Sequence, residues 1–251
     1  IMAGIQRKTN GIMFVPDLFG IQTMGVEVEH FFGEEAPVLH LKNNLANPWK
    51  LFIKKCFDFT VGGLILLLSI PIMGLIAIAI RLNSEGPIIF SSKRIGTSGN
   101  LFNCYKFRTM VKDAEEALMT RLEDDPEAKK MWEENFKLKD DPRITSVGRF
   151  LRKTSLDELP QIFNVLFGQM SLVGPRPMLE EELDRYEDGI NDYFSVKPGI
   201  TGLWQVSGRS DLNYERRKKL NSGYIRNWSL WLDIVILFKT FRAALNREGA
   251  Y

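Results

Sequence analysis

Asp157 and Glu158 stand side by side in the run Arg152-Lys153-Thr154-Ser155-Leu156-Asp157-Glu158-Leu159-Pro160-Gln161-Ile162-Phe163-Asn164-Val165-Leu166. Adjacent carboxylates can act as nucleophile, general base or ligands to a hard divalent cation. Leu156, Leu159, Ile162 or Phe163, and Leu166 recur at helical spacing, and Ser155 with Glu158 reads as a capping box. Proline is tolerated in a first turn, so Pro160 puts the helix start close to Asp157. The free amides and dipole of such a terminus favour negative charge, so Asp157 is expected to stay ionised at neutral pH. Taken alone, however, the pair reads as ordinary first-turn capping.

Its cationic surroundings change that weighting. Arg152 precedes the pair by five residues, and Gly174-Pro175-Arg176-Pro177 holds an arginine between two prolines that restrict its backbone. A guanidinium in a rigid turn can grip a phosphate or a uracil edge with little entropy loss. Lys106 and Arg108 add charge from Tyr105-Lys106-Phe107-Arg108-Thr109-Met110. Four cations and two acids suit a diphosphate with Mg²⁺, which prefers carboxylate and phosphate oxygens; Asp157 and Glu158 are its candidate ligands. The net charge of +2 argues against a nucleic-acid polymer as partner. P-loop, dinucleotide, zincin and Asp-x-Asp motifs are missing, and His30 and His40 both lie far upstream of the acidic pair. Cys56 and Cys104 have no metal-ligand spacing.

The elements that must carry these residues begin with a run free of charge from Phe59 to Ile80. At about 1.5 Å per residue it is long enough for the roughly 30 Å hydrocarbon core of a bilayer. Pro71 lies near its middle, and the Ser69 hydroxyl can satisfy a carbonyl that the proline frees. Lys50, Lys54, Lys55 and Arg81 put positive charge at both ends, so the positive-inside rule chooses no direction. A helix bent at Pro71, entering and leaving on the cytoplasmic side, fits both facts; a kinked spanning helix is the alternative. Downstream, Gly96 to Gly99 reads as the turn of a hairpin, and residues 112–139 as one or two solvated amphipathic helices broken near Pro126. The segment from Trp228 to Arg242 suits a helix lying in the headgroup layer, or equally core packing. Residues 1–50 read as the remnant of an upstream domain, 51–81 as the membrane hairpin and 82–251 as the catalytic domain. The expected fold is α+β, mainly helical, and monotopic, with amphipathic interfacial helices on the catalytic domain.

KRIG, YKFRTM, DPRITSVGRFLRKTSLDELPQIFNVLFGQMSLVGPRP and PGITGLWQVSGR together resemble the bacterial sugar transferase family, the monotopic polyprenyl-phosphate phosphoglycosyl transferases. The resemblance implies transfer of a sugar-1-phosphate, with galactose the nearest match and glucose the alternative, from a UDP-sugar to undecaprenyl phosphate with release of UMP. It implies Asp157 as nucleophile, and Glu158 as Mg²⁺ ligand or activator of the acceptor. Arg152 and Arg176, with Lys106, Arg108 and Arg209, would bind substrate. It further implies the bacterial inner membrane, an active site on its cytoplasmic face, contact with lipid, a homodimer, and a role in O-antigen, lipopolysaccharide or exopolysaccharide synthesis. The family breaks its re-entrant helix at an adjacent Ser-Pro pair, whereas here Ile70 separates Ser69 from Pro71.

Overall fold

In a computed structural model, residues 27–29, 38–40, 47–135, 138, 141–186, 190–208 and 213–246 are described. The chain divides into two units, Ile1–Lys42 and Asn43–Tyr251. In the first, β1 (Glu27–Glu29) pairs antiparallel with β2 (Val38–His40). Most of the expected 1–50 remnant lies outside the described residues.

The second unit opens with helix α1, Pro48–Asn83. Asn47 caps it by accepting from the Trp49 and Lys50 amides, Pro48 occupies its first turn, and Arg81 complements the dipole at its end. It is long and apolar enough to cross a membrane. One stripe, Lys54, Asp58, Gly62, Ser69, Ile76 and Ile80, is buried. The opposite face exposes Phe59, Leu64, Leu67, Leu68, Leu75 and Ile78, which no core helix of a water-soluble fold would do. Helical geometry runs without interruption through Pro71. The Ser69 hydroxyl donates to Leu66 O (3.0 Å), one position before the Leu67 carbonyl that Pro71 leaves without its usual donor. The expected cap is thus offset by one residue, as the inserted Ile70 requires.

Residues before and after Pro71 on α1 both pack against the rest of the unit. Phe57, Val61, Ile65 and Leu66 join a core with Ile162, Val165, Leu172, Tyr224 and Ile236. Met73, Ile76 and Ile80 join a second core with Phe107, Leu151, Leu156 and Leu159. A buried ionic network fastens the N-terminal half of α1: Asp233, fully inaccessible, accepts from Lys54 Nζ (2.8 Å), Tyr224 Oη (2.7 Å) and Trp228 Nε1 (3.0 Å). Lys54 Nζ also donates to Val173 O (3.0 Å), and Asp58 Oδ1 accepts from the Leu172 amide (3.2 Å).

The expected hairpin forms from β3 (Ile89–Ile95) and β4 (Leu101–Phe107), closed by Ser98 and Gly99 at positive φ. The acidic stretch folds as α2 (Ala114–Asp124) and α3 (Pro126–Asn135), broken at Pro126 as its ring demands. Then come α4 (Ser146–Thr154), α5 (Gln161–Leu166), β5 (Ser171–Val173), α6 (Ile190–Phe194), β6 (Gly199–Thr201), α7 (Tyr214–Arg226) and α8 (Leu230–Asn246). Strands β5 and β6 pair in parallel. Gly174 and Gly199 approach so closely there that a Cβ on either would collide with the other's backbone. On α8 Ile236 is buried, while Trp231, Ile234, Phe238 and Phe241 form an exposed apolar stripe at spacings of three and four. The fold is therefore α+β and mainly helical, with one long apolar helix.

Candidate active site

Helix α4 begins at Thr145, whose hydroxyl accepts from the Gly148 amide (2.9 Å), and stops at Ser155, which adopts a left-handed conformation (φ 57°). The chain then makes one 3₁₀ turn, Leu156–Glu158, before α5 starts at Gln161. The expected capping box is absent: Ser155 terminates the preceding helix, so its side chain caps neither the turn nor α5. Asp157 consequently sits in a turn between helices and not in the first turn of a long one. Leu156 and Leu159 drop from this turn into the cluster made by Ile76, Ile80, Phe107 and Leu151. The carboxylate pair therefore rests on the last turns of the apolar helix.

That seat makes Asp157 more basic than an ordinary aspartate, although it stays mostly ionised at neutral pH. Burial, foremost, and the neighbouring Glu158 carboxylate raise its pKa to about 6, against the pull of Lys106 and Arg152. A six-residue helix one turn away offers too little dipole to cancel the desolvation. Lys106 Nζ meets Glu158 Oε1 at 2.6 Å, both side chains about one-third exposed. Such a pair adds little stability but fixes where the two charges sit. Arg152 Nε donates to Thr109 Oγ1 (2.9 Å); burial lowers its pKa, while the field of Asp157 favours its charge.

Asp157, Glu158, Lys106, Arg152, Arg108 and Arg176 all line one open cleft of ≈ 1330 Å³. They are not equivalent. The buried Arg108 donates to Pro87 O (2.6 Å), Ser84 O (2.7 Å) and Ser84 Oγ (2.8 Å), clasping the loop that leaves α1. Gly86 (φ 117°) gives way to it, since a Cβ there would meet the guanidinium. Arg176 is exposed, but its backbone is bolted down: the Tyr193 hydroxyl lies 2.9 Å from Arg176 O and accepts from the Met178 amide at 3.0 Å. Arg209 lies outside the described residues. Among the described residues no three His, Cys, Asp or Glu side chains form a metal cluster. Two residues escaped the sequence reading. Arg94, within KRIG, lines the cleft because register puts it on the Lys106 face of the hairpin; Tyr193 carried no motif signal.

The model of the family described as "Bacterial sugar transferase" matches residues 49–247. The chain belongs to the bacterial sugar transferase family. It is 48% identical over 240 residues to an undecaprenyl-phosphate galactose phosphotransferase of Salmonella typhimurium, covering 96% of this chain and 50% of that protein. It is 39% identical over 250 residues to a UDP-glucose:undecaprenyl-phosphate glucose-1-phosphate transferase of Klebsiella pneumoniae, covering 96% and 50%. The exopolysaccharide production protein ExoY of Rhizobium meliloti is 43% identical over 198 residues, 79% of this chain and 88% of ExoY. The chain thus spans about half the length of the Salmonella and Klebsiella relatives.

Proposed function

We propose that this chain transfers a sugar-1-phosphate from a UDP-sugar to undecaprenyl phosphate through a covalent intermediate on Asp157. One observation carries the reading: a half-buried carboxylate stands among Lys106, Glu158 and Arg152, over a cluster that includes the apolar helix. A water-borne donor and a lipid-borne acceptor need a site so placed. The cleft exceeds the roughly 300–1,000 Å³ of ordinary ligand pockets, which suits two large substrates.

In the first step an Asp157 carboxylate oxygen attacks the sugar-bearing phosphorus. A P–O bond forms, the bridging P–O bond breaks, and UMP leaves with the bridging oxygen and its electron pair. In the second step an oxygen of undecaprenyl phosphate attacks the same phosphorus and returns Asp157 to its carboxylate. Neither step consumes a proton overall. Lys106 holds Glu158 beside the nucleophile, and Arg152 and Arg176 offer charge to phosphate oxygens. A pKa near 6 leaves the nucleophile mostly ionised at pH 7, yet more basic than an ordinary aspartate. Mg²⁺ takes one or two carboxylates and completes its shell with phosphates and water, and two adjacent carboxylates in this cleft fit that habit. Glu158, with Asp157, would hold the ion, which supplies charge neutralisation on the diphosphate when bound.

The re-entrant course of α1 belongs to the same proposal. It is supported by Pro71 near the middle of α1, with residues on both sides of it packed on the catalytic part of the chain, and by the positive charge at both ends of the apolar run. A cytoplasmic site on the bacterial inner membrane, a homodimer and a role in O-antigen or exopolysaccharide synthesis rest on the relatives and the resemblance. Galactose is favoured as the sugar by the Salmonella relative, with glucose second. Incubation with labelled UDP-galactose and UDP-glucose tests the whole: label must become protein-bound with stoichiometric UMP, and Asp157→Asn must abolish both. Labelling that survives the substitution, or UDP as the product, refutes the reading.

A further inference from the structure

Arg94 and Arg176 come from distant parts of the chain, yet the fold clamps their backbones together. The Ile95 amide donates to Met178 O (3.0 Å), forming an isolated antiparallel bridge between the end of β3 and the loop after Arg176. The Tyr193 hydroxyl locks the same junction, lying 3.3 Å from Ile95 O, 2.9 Å from Arg176 O and 3.0 Å from the Met178 amide. Both guanidiniums line the cleft. Arg94 is poorly satisfied there: Nη1 is buried without a hydrogen-bond partner among the described residues, and Nε has only a long bond to Ser92 Oγ (3.4 Å). Burial, then the charge of Arg176, disfavours its protonated form, and the field of Glu182 only partly offsets them. The Glu182 carboxylate accepts from the Leu179 amide (3.0 Å), and no ion pair to Arg94 forms among the described residues. Two like charges forced together with an orphaned donor cost free energy unless an anion joins them.

The cleft thus has cations at two stations. On the shared face of the hairpin, Arg94 lies four strand residues from Phe90, the register partner of Lys106, or roughly 13 Å at about 3.3 Å per residue. Lys106 and Arg152 attend Asp157 at one station, and Arg94 with Arg176 forms the other. We infer that Arg94 and Arg176 together form a second phosphate site, one that holds the nucleotide phosphate of the leaving group. The inference rests on the proposed transfer and adds Arg94 to its binding residues. Breaking the bridging bond leaves UMP with one more negative charge on its phosphate than it carried in the UDP-sugar. A paired guanidinium site binds that product, and the transition state leading to it, better than the substrate.

The test compares wild type, Arg94→Gln and Arg94→Lys in the full chain. Three readouts are taken: the UMP concentration that half-saturates the thermal-midpoint shift, covalent labelling by UDP-sugar, and KM for a short-chain polyprenyl phosphate. Arg94→Gln should raise half-saturating UMP about tenfold or more and slow labelling, with KM for polyprenyl phosphate within about twofold of wild type. Arg94→Lys keeps the charge but loses the fork and should fall between, which tests the site even where Gln prevents folding. Unchanged UMP saturation in either folded variant overturns the inference. So does a rise confined to KM for polyprenyl phosphate, which would assign the site to the lipid phosphate. Wild-type protein that releases no UMP and traps no label sinks the transfer reading itself, a result distinct from both.

Discussion

Asp157→Asn should make this protein more stable at neutral pH while abolishing its covalent labelling. The pKa of Asp157 is raised from 3.8 to about 6, so the folded state holds that proton more tightly than the unfolded chain. A raised carboxylate pKa contributes stability that is fully present below about pH 4 and is lost as pH rises through about 6. Two pKa units at about 1.4 kcal/mol each give a ceiling near 3 kcal/mol. Asp157 is only partly buried, so screening reduces the expected penalty at neutral pH to about 1–2 kcal/mol. The amide keeps the shape of the side chain and escapes that penalty. For a chain of this size, about 2–4 °C of midpoint accompanies each kcal/mol. Thermal unfolding in one fixed lipid or detergent should place the variant roughly 2–8 °C above wild type at pH 7.5, with the gap closing toward pH 4. A variant less stable than wild type at pH 7.5, or a gap indifferent to pH, refutes the account of a desolvated nucleophile. An inert structural aspartate would show neither the gain nor the loss of labelling.

Other outcomes follow from the same contacts. Labelling by UDP-sugar should fall about tenfold between pH 7 and pH 5, following the ionised fraction of a carboxyl with pKa about 6; a flat profile would move the nucleophile elsewhere. Lys54→Met leaves Asp233 buried without its cation and should cost about 3–5 kcal/mol in denaturant unfolding, whereas Lys55→Met, one residue on, should cost under about 1 kcal/mol. Tyr193→Phe keeps the ring but removes the hydroxyl between Ile95, Arg176 and Met178, and should weaken UMP protection about three- to tenfold with little change in unfolded fraction. Lys106→Met frees Glu158 from its partner and should raise the Asp157 pKa further, shifting the acid limb of the labelling profile upward by a measurable fraction of a pH unit.

Much of this site was legible in the sequence where local chemistry decides it. The charge-free run of α1, the hairpin turn at Ser98 and Gly99, the break at Pro126 and the rigid turn around Arg176 depend on neighbours within a few residues. Periodicity, proline and glycine report such features directly. The acidic pair was visible for the same reason, but its state was not. Whether Ser155 caps the turn or ends the helix before it depends on the left-handed kink that lets Leu156 reach Ile76 and Ile80, some eighty residues away in the chain. That packing desolvates Asp157 and turns an expected ordinary aspartate into one that titrates near 6. Sequence alone likewise gave Arg108 and Arg152 equal standing, and only packing separated a clasp on Ser84 and Pro87 from a cation beside Asp157. Arg94 was invisible as a partner of Arg176 because strand register and the Tyr193 hydroxyl make them neighbours. Residue types determined what chemistry this chain can attempt; burial and long-range contact decided which charges are paired, which are stranded and which carboxylate is made more basic, because desolvation depends on what surrounds a group and not on its neighbours in the chain.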